Sequence, residues 1–251
     1  MPLRPPADAP PENLRAARWI AVVAALVVLA LLYAAFAARA RPPQLLPAPS
    51  GAAAAPAQEA GPASVVLAGG CFWGVQAVFQ HTRGVLSAVS GYAGGAAEQA
   101  NYSAVSAGKT GHAEAVRVTY DPKGITLGEL LQVFFSVAHD PTERGGQGPD
   151  VGPQYRSAVF FESEAQRHLA QAYIAQLDAS AELSAPISTE VAPLAGFYPA
   201  EPEHQDYATR YPTNAYIAMY DAPKLRNLQA VLPDRYREAP VLVGSALPSP
   251  Q

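Results

Sequence analysis

The sequence predicts a compact domain that mixes strands and helices, α+β or α/β, preceded by one N-terminal transmembrane helix. Three observations carry this. Trp19 to Ala38 (WIAVVAALVVLALLYAAFAA) is a run of twenty residues without a charge. Residues 39–63 are rich in Ala and Pro and lack periodicity. From Ser64 the chain alternates between apolar patterns of strand period and helix period.

At a rise of about 1.5 Å per residue the uncharged run spans about 30 Å, the hydrocarbon thickness of a bilayer. A buried core helix of this length would show a polar face. A cleavable signal peptide usually has a shorter apolar stretch, about 7–15 residues. An uncleaved anchor over 19–38 is therefore the favoured reading. Export after cleavage near Ala40 is the alternative, because Ala38-Arg39-Ala40 has a small-x-small pattern. Arg4, Arg15 and Arg18 precede the run, Arg39 and Arg41 follow it, and no further Lys or Arg occurs until Arg83. The positive-inside bias puts the short tail 1–18 in the cytoplasm and the main domain outside it, periplasmic or equivalent. Residues 39–63 read as a tether, semi-extended where prolines cluster.

In the main domain Ser64–Ala68 (SVVLA) reads as a short apolar strand that Gly69-Gly70 breaks. Cys71–Gln80 is then helical, with Phe72, Val75 and Phe79 along one side. Gly91–Gly95 (GYAGG) reads as a flexible turn, and Glu114–Tyr120 (EAVRVTY) alternates like a half-buried strand. Thr126 caps a helix through Val137, on the spacing of Leu127, Leu130, Leu131 and Phe134. Residues 145–154 are glycine-rich and read as a loop. Arg156–Phe161 is a strand, Ser163 caps an amphipathic helix to Leu177, and Ile187–Val191 is a further strand. No internal repeat is visible.

Hydrophobic residues make up 49% of the 251, ample for a packed core. Residues 1–41 hold five of the 17 basic and two of the 21 acidic residues, so the remainder carries 12 positive and 19 negative charges. An acidic domain without a basic stripe makes a poor nucleic-acid binder, and none is expected as a partner. The single cysteine excludes an internal disulfide.

That cysteine, Cys71, follows a strand and a Gly-Gly turn and stands at a helix start. Unpaired N–H groups and the helix dipole favour negative charge there, which lowers a thiol's pKa and raises its thiolate fraction. A lone cysteine is otherwise a buried, inert hydrophobe. Phe72-Trp73 beside it can line a pocket for a small apolar group or belong to the core. Asn101-Tyr102, Thr110–Glu114, His139–Thr142 and Gln147–Ser157 set polar residues among loop glycines. Such stretches form solvent-facing turns, but loops on a rigid scaffold are also where catalytic groups gather. Two other patterns lead nowhere. Gly108-Lys109-Thr110 looks like the end of a phosphate loop, yet that pattern needs a glycine where Ser103 stands. His81, His112, His139, His168 and His204 show no ligand spacing and there is no cysteine pair, so neither a metal nor another cofactor is expected.

Taken in order, these stretches resemble the A-type peptide methionine sulfoxide reductase family (peptide-methionine (S)-S-oxide reductase). The matching elements are GCFWG at 70–74, GYAGG at 91–95, NY at 101–102, TGHAEAV at 110–116, YDP at 120–122, HDPT at 139–142, QGPDVG-QYRS at 147–157 and HQDY at 204–207. The resemblance runs from Ser64 to Tyr216. The fold expected with it is α+β: a compact two-layer α/β sandwich with a ferredoxin-like core and long loops over 64–235, followed by a tail over 236–251. The implied activity is reduction of methionine S-sulfoxide, protein-bound or free, in repair of oxidative damage. Cys71 resembles the nucleophile and Glu114 the acid that protonates the sulfoxide oxygen. Tyr102 and Tyr155 resemble the phenols that hydrogen-bond that oxygen, Phe72 and Trp73 the wall that grips the S-methyl group, and Asp150 a supporting polar residue. The acid role is physically sensible, because a glutamic acid supplies a proton near pH 7 only where burial has raised its pKa. Attack on sulfur then leaves a sulfenic acid on Cys71.

Many members of the family carry further cysteines that resolve the sulfenic acid as a disulfide. The tail VLVGSALPSPQ has none, so the expected reductant is an external small thiol or a thioredoxin-like protein. The family's usual Asn-Pro-x-Tyr is here Asn101-Tyr102, and Pro153 stands where a Thr is common, which puts loop geometry in question. Two other functions stay open: a cysteine hydrolase built on Cys71, His112 and Asp140, and a non-catalytic binder of oxidised methionine. With no interface signature visible, a monomer is the default.

Overall fold

The computed structural model describes residues 18–28, 44–54 and 61–245, and the chain divides into two units, residues 1–42 and 43–251. In the first unit residues 18–28 are helical with exposed side chains, Trp19, Ile20 and Leu26 among them. No helix among the described residues is long and apolar enough to cross a membrane. Residues 29–38 of the expected span lie outside those residues, as do residues 246–251.

The second unit is an α+β fold around a six-stranded mixed sheet. Its chain order begins β1 (Ala63–Gly69), α1 (Phe72–Gln80), β2 (Val85–Ala93), α2 (Tyr102–Ser106), β3 (Ala113–Tyr120) and α3 (Leu127–Val133). A small hairpin, β4 (Gly146–Gln147) and β5 (Asp150–Val151), precedes β6 (Ser157–Phe161), α4 (Glu164–Ala179), β7 (Glu190–Pro193) and β8 (Phe197–Pro199). Two helices, α5 (Tyr207–Arg210) and α6 (Ala222–Val231), close the unit. The sheet order is β7-β6-β1-β3-β2-β8, with antiparallel neighbours except for the parallel pair β6–β7.

The apolar run of β1 is explained by its central place. Val65 and Leu67 join the main core with Val75, Val78 and Phe79 of α1 and Leu130 and Leu131 of α3. Val66 and Ala68 face a second cluster with Ala113, Ala115, Ala158 and Phe160. A strand covered on both faces has no solvent side to keep polar, and each buried Val or Leu side chain stabilises the fold by about 1.5–3 kcal/mol. Helix starts follow their caps. Thr126 Oγ1 accepts from the Glu129 N–H at 3.2 Å while Glu129 Oε2 accepts from the Thr126 N–H at 2.8 Å, a reciprocal capping box. Ser163 caps α4 in the simpler way, accepting from the Gln166 N–H.

Four expectations need correction. The helix from Thr126 is regular only to Val133, after which Phe134–Ala138 forms a wide π turn. There the His139 ring takes the Phe134 carbonyl, with Nδ1 at 3.1 Å. Gly91–Gly95 bends only at Gly94-Gly95, because Gly91, Tyr92 and Ala93 end β2, paired with β3 on one side and β8 on the other. A Cβ at Gly91 would meet the Phe197 ring, so that glycine serves close strand packing rather than a turn. Within the stretch read as a tether, residues 44–54 lie along α3 and α4. Leu46 is 1% exposed, its carbonyl accepts from Gln132 Nε2 at 2.8 Å, and Tyr173 OH donates to the Pro47 carbonyl at 2.7 Å. In the stretch read as a tail, the Arg237 and Val241 N–H groups donate to the carbonyls of His81 and Gln80 at the end of α1. In both places helix-borne acceptors and donors satisfy backbone that has no sheet partner.

Candidate active site

β1 ends at Gly69 and the chain turns through Gly70 to deliver Cys71 to the N-cap of α1. The first-turn N–H groups of α1 lack intrahelical partners. One of them is used at once: the Phe72 N–H donates to Glu114 Oε2 at 3.0 Å. Glu114, the second residue of β3, is 2% exposed. Burial pushes its carboxyl up to about 8 against the pull of the Phe72 N–H, and the Asp150 and Asp221 carboxylates add smaller pushes.

The helix start by itself favours a Cys71 thiolate, but burial outweighs it. Cys71 is 8% exposed, and burial, then the Glu114 and Asp221 carboxylates, hold the thiol well above its ordinary range. The Trp73 N–H and the Lys224 ammonium oppose this only in part. The acidic thiol expected from position is thus replaced by a resting thiol that keeps its proton.

Aromatic side chains wall the site. The Trp73 indole stacks on Tyr207 with centroids 3.8 Å apart, meets Tyr216 edge-on at 6.0 Å, and donates through Nε1 to His204 Nδ1 at 3.3 Å. Phe72 is fully buried against Tyr92 and His204, and Tyr102 stacks on that imidazole at 4.1 Å. Asn101 caps α2, and Glu201 anchors it by accepting from the Tyr102 N–H at 2.8 Å and from Tyr92 OH at 2.7 Å. Tyr155 ends a single turn at Pro153–Tyr155. Burial first, then the Glu114 carboxylate, raise both the Tyr102 and the Tyr155 phenols. Asp150 on β5 accepts a short hydrogen bond from Tyr216 OH. Burial raises its carboxyl, and Tyr216 and Lys224 restrain the rise. Cys71, Phe72, Trp73, Tyr102, Glu114, Asp150 and Tyr155 therefore converge on one site from separate elements.

Residues 63–235 match the family model described as peptide methionine sulfoxide reductase. The chain belongs to this family. A peptide methionine sulfoxide reductase MsrA 2 from Mesorhizobium japonicum is 54% identical over 193 residues, covering 77% of this chain and 97% of that one. The MsrA 2 of Synechocystis sp. is 47% identical over 177 residues, 70% of this chain and 83% of its own. Among solved structures, reduced Mxr1 from Saccharomyces cerevisiae superposes with a TM-score of 0.57 at 33% identity, over 64% of this chain and 92% of that one. Methionine sulfoxide reductase A of Corynebacterium diphtheriae gives 0.53 at 33% identity, over 69% and 87%. The chain is thus an A-type reductase, an oxidoreductase acting on methionine sulfoxide.

The reductase site also holds residues to which sequence reading assigned no role. HQDY at 204–207 is visible as a motif, and each member has a task. His204 accepts from Trp73 and Tyr207 stacks on it, as above. Gln205 spends its amide on the Ser90 N–H and carbonyl, Gln76 and the Ala200 carbonyl. Asp206, at a left-handed φ of 55°, accepts from Gln80 Nε2 at 2.6 Å. Glu201, Tyr216, Asp221 and Lys224 left no local signal. The hydrolase triad does not form. Both His112 ring nitrogens are engaged by loop backbone, the Gly95 N–H at 3.2 Å and the Ala96 carbonyl at 2.9 Å. Asp140 Oδ1 accepts from the Thr142 N–H and hydroxyl.

Proposed function

We propose that the reductase converts methionine S-sulfoxide, free or within a polypeptide, to methionine, with Cys71 as nucleophile and Glu114 as proton donor. The observation that carries this is the buried Glu114 carboxyl, raised to about 8 and tied to the helix start that bears Cys71. A sulfoxide is a poor electrophile until its oxygen gains a proton, and a carboxyl still protonated at pH 7 is suited to give one. Phe72 and Trp73 receive the S-methyl group. The Tyr102 and Tyr155 phenols donate to the oxygen as an oxyanion hole would, and Asp150, held by Tyr216, orders the polar side of the site.

The Cys71 sulfur attacks the sulfoxide sulfur. Its thiol proton replaces the one that Glu114 gives to the oxygen, so Glu114 ends as it began. The attack joins the two sulfurs. The protonated oxygen then passes to the Cys71 sulfur as the substrate sulfur–oxygen bond and the new sulfur–sulfur bond break, which releases methionine and leaves a sulfenic acid on Cys71. The substrate sulfur gains the two electrons that the Cys71 sulfur loses. Cys71 is the chain's single cysteine, so two equivalents of an external thiol, small or thioredoxin-like, restore it and leave as a disulfide and water.

Two further readings complete the proposal. The central strands β6-β1-β3-β2, with α1 and α3 as crossovers, form a ferredoxin-like core in a two-layer sandwich; their antiparallel order supports this. Residues 19–38 anchor a monomer to a membrane with the catalytic domain outside the cytoplasm, cleavage near Ala40 being the alternative. The uncharged run and the flanking arginines support it. A C-terminal reporter active only in the cytoplasm would overturn that orientation.

The decisive assay is reduction of a methionine sulfoxide substrate with dithiothreitol by wild type, Cys71→Ser and Glu114→Gln. Full activity in Cys71→Ser sinks the mechanism, and near-normal activity in Glu114→Gln at neutral pH removes Glu114 as the acid.

A further inference from the structure

Asp221 ends the turn Ile217–Asp221 and Lys224 follows in α6. Asp221 is 1% exposed, and the Lys224 ammonium lies 3.1 Å from its Oδ1. Neither of its oxygens accepts a hydrogen bond among the described residues, so the ammonium compensates it through charge. A buried carboxylate left without hydrogen bonds is costly and persists only where something compensates it. Both groups press on Gly74, the third residue of α1. A Cβ there would run into the Asp221 carboxylate and stand 2.7 Å from Lys224 Nζ. The pair therefore fills the ground beside the first turn of the helix that Cys71 caps.

The charges facing Cys71 come from several elements. Glu114 on β3 and Asp221 raise its thiol, and Lys224 is the cation that lowers it. Asp150 on β5 and the phenols of Tyr102, Tyr155 and Tyr216 complete the surroundings. A thiol that gives up its proton here needs a nearby positive charge.

We propose that the Asp221–Lys224 pair is a positioning element of the reductase: Asp221 holds the Lys224 ammonium against the first turn of α1, where it stabilises the thiolate that forms on Cys71. This rests on Cys71 being the nucleophile. Gly74 is glycine because the pair must come this close.

The test is the pH dependence of Cys71 alkylation by iodoacetamide, followed by mass spectrometry on the full chain without substrate. Lys224→Met should move the midpoint upward by about one pH unit, and Lys224→Arg should restore the wild-type midpoint. In an Asp221→Asn background, where the ammonium is no longer held, Lys224→Met should move the midpoint clearly less than it does in wild type. An unchanged midpoint in a Lys224→Met protein that melts cooperatively overturns the proposal. If Lys224→Met does not fold, Lys224→Gln takes its place, and an unchanged midpoint there overturns the proposal; a lysine effect of equal size with and without Asp221 overturns the holding role. The readout needs no turnover, so it fails separately from the nucleophile assignment, which Cys71→Ser tests by activity.

Discussion

The Phe72 N–H and the Glu114 carboxyl meet at 3.0 Å, joining the helix that carries the thiol to the strand that carries Glu114. Glu114 is also paired in register with Tyr92, whose ring packs on Phe72. Acid, thiol and aromatic wall thus share one set of restraints, and none can shift without the others.

The first consequence concerns rate and pH. With its carboxyl raised to about 8, Glu114 holds its proton at pH 7 and loses it as pH rises through that value. We expect wild-type kcat to fall along that limb. Glu114→Gln should lower kcat by about 10²–10⁴-fold and remove the limb. Steady-state rates across pH check both.

The same carboxyl makes stability depend on pH. Its folded pKa lies above the unfolded one, so the native state binds the proton more tightly. That contribution is fully present below the unfolded pKa of about 4.3 and is lost as pH rises through about 8. Glu114→Gln does not titrate. It should therefore gain on wild type in thermal melts as pH is raised across this window; a constant difference in melting temperature would contradict the assignment.

How far the sequence could be read follows from which signals are local. Thr126 and Ser163 announce their helices because a cap acts within three residues. The SVVLA strand is legible because double burial needs an apolar run. VLSAVSGYA is not legible as β2, since its small and polar residues become strand by pairing along β3, and its last three by pairing with β8 as well. The seven residues that converge around Cys71 are legible through motifs, and their proposed roles come from the resemblance those motifs carry. The state of Cys71 was not: position reveals a helix start, and the depth of burial that overrides it exists only after folding. Asp221 and Lys224 acquire meaning only from Gly74, far away in sequence.

Leu46 offers a test of how firmly residues 44–54 are docked. It is 1% exposed in the main core, at the start of a segment whose composition reads as a tether. Leu46→Ala should destabilise the catalytic domain by about 2–4 kcal/mol, measured by denaturant unfolding, with kcat unchanged because those residues lie along α3 and α4. A loss under about 0.5 kcal/mol would mean that the segment is not held.

Tyr216 offers the sharpest separation of binding from chemistry. Its hydroxyl donates to Asp150 while its ring meets Trp73 edge-on. Tyr216→Phe keeps the ring and removes the donor. The hydrogen bond restrains the Asp150 carboxyl, so its loss leaves that group more readily protonated and free to turn. The ring contact with Trp73 survives, so KM should stay close to wild type. We expect kcat to fall about tenfold, the effect of losing one hydrogen bond to a charged group at about 1.5 kcal/mol. Tyr216→Leu loses both functions and should raise KM as well. A Tyr216→Phe enzyme with normal kcat and raised KM would reverse the reading, making the hydroxyl a substrate contact rather than the support of Asp150.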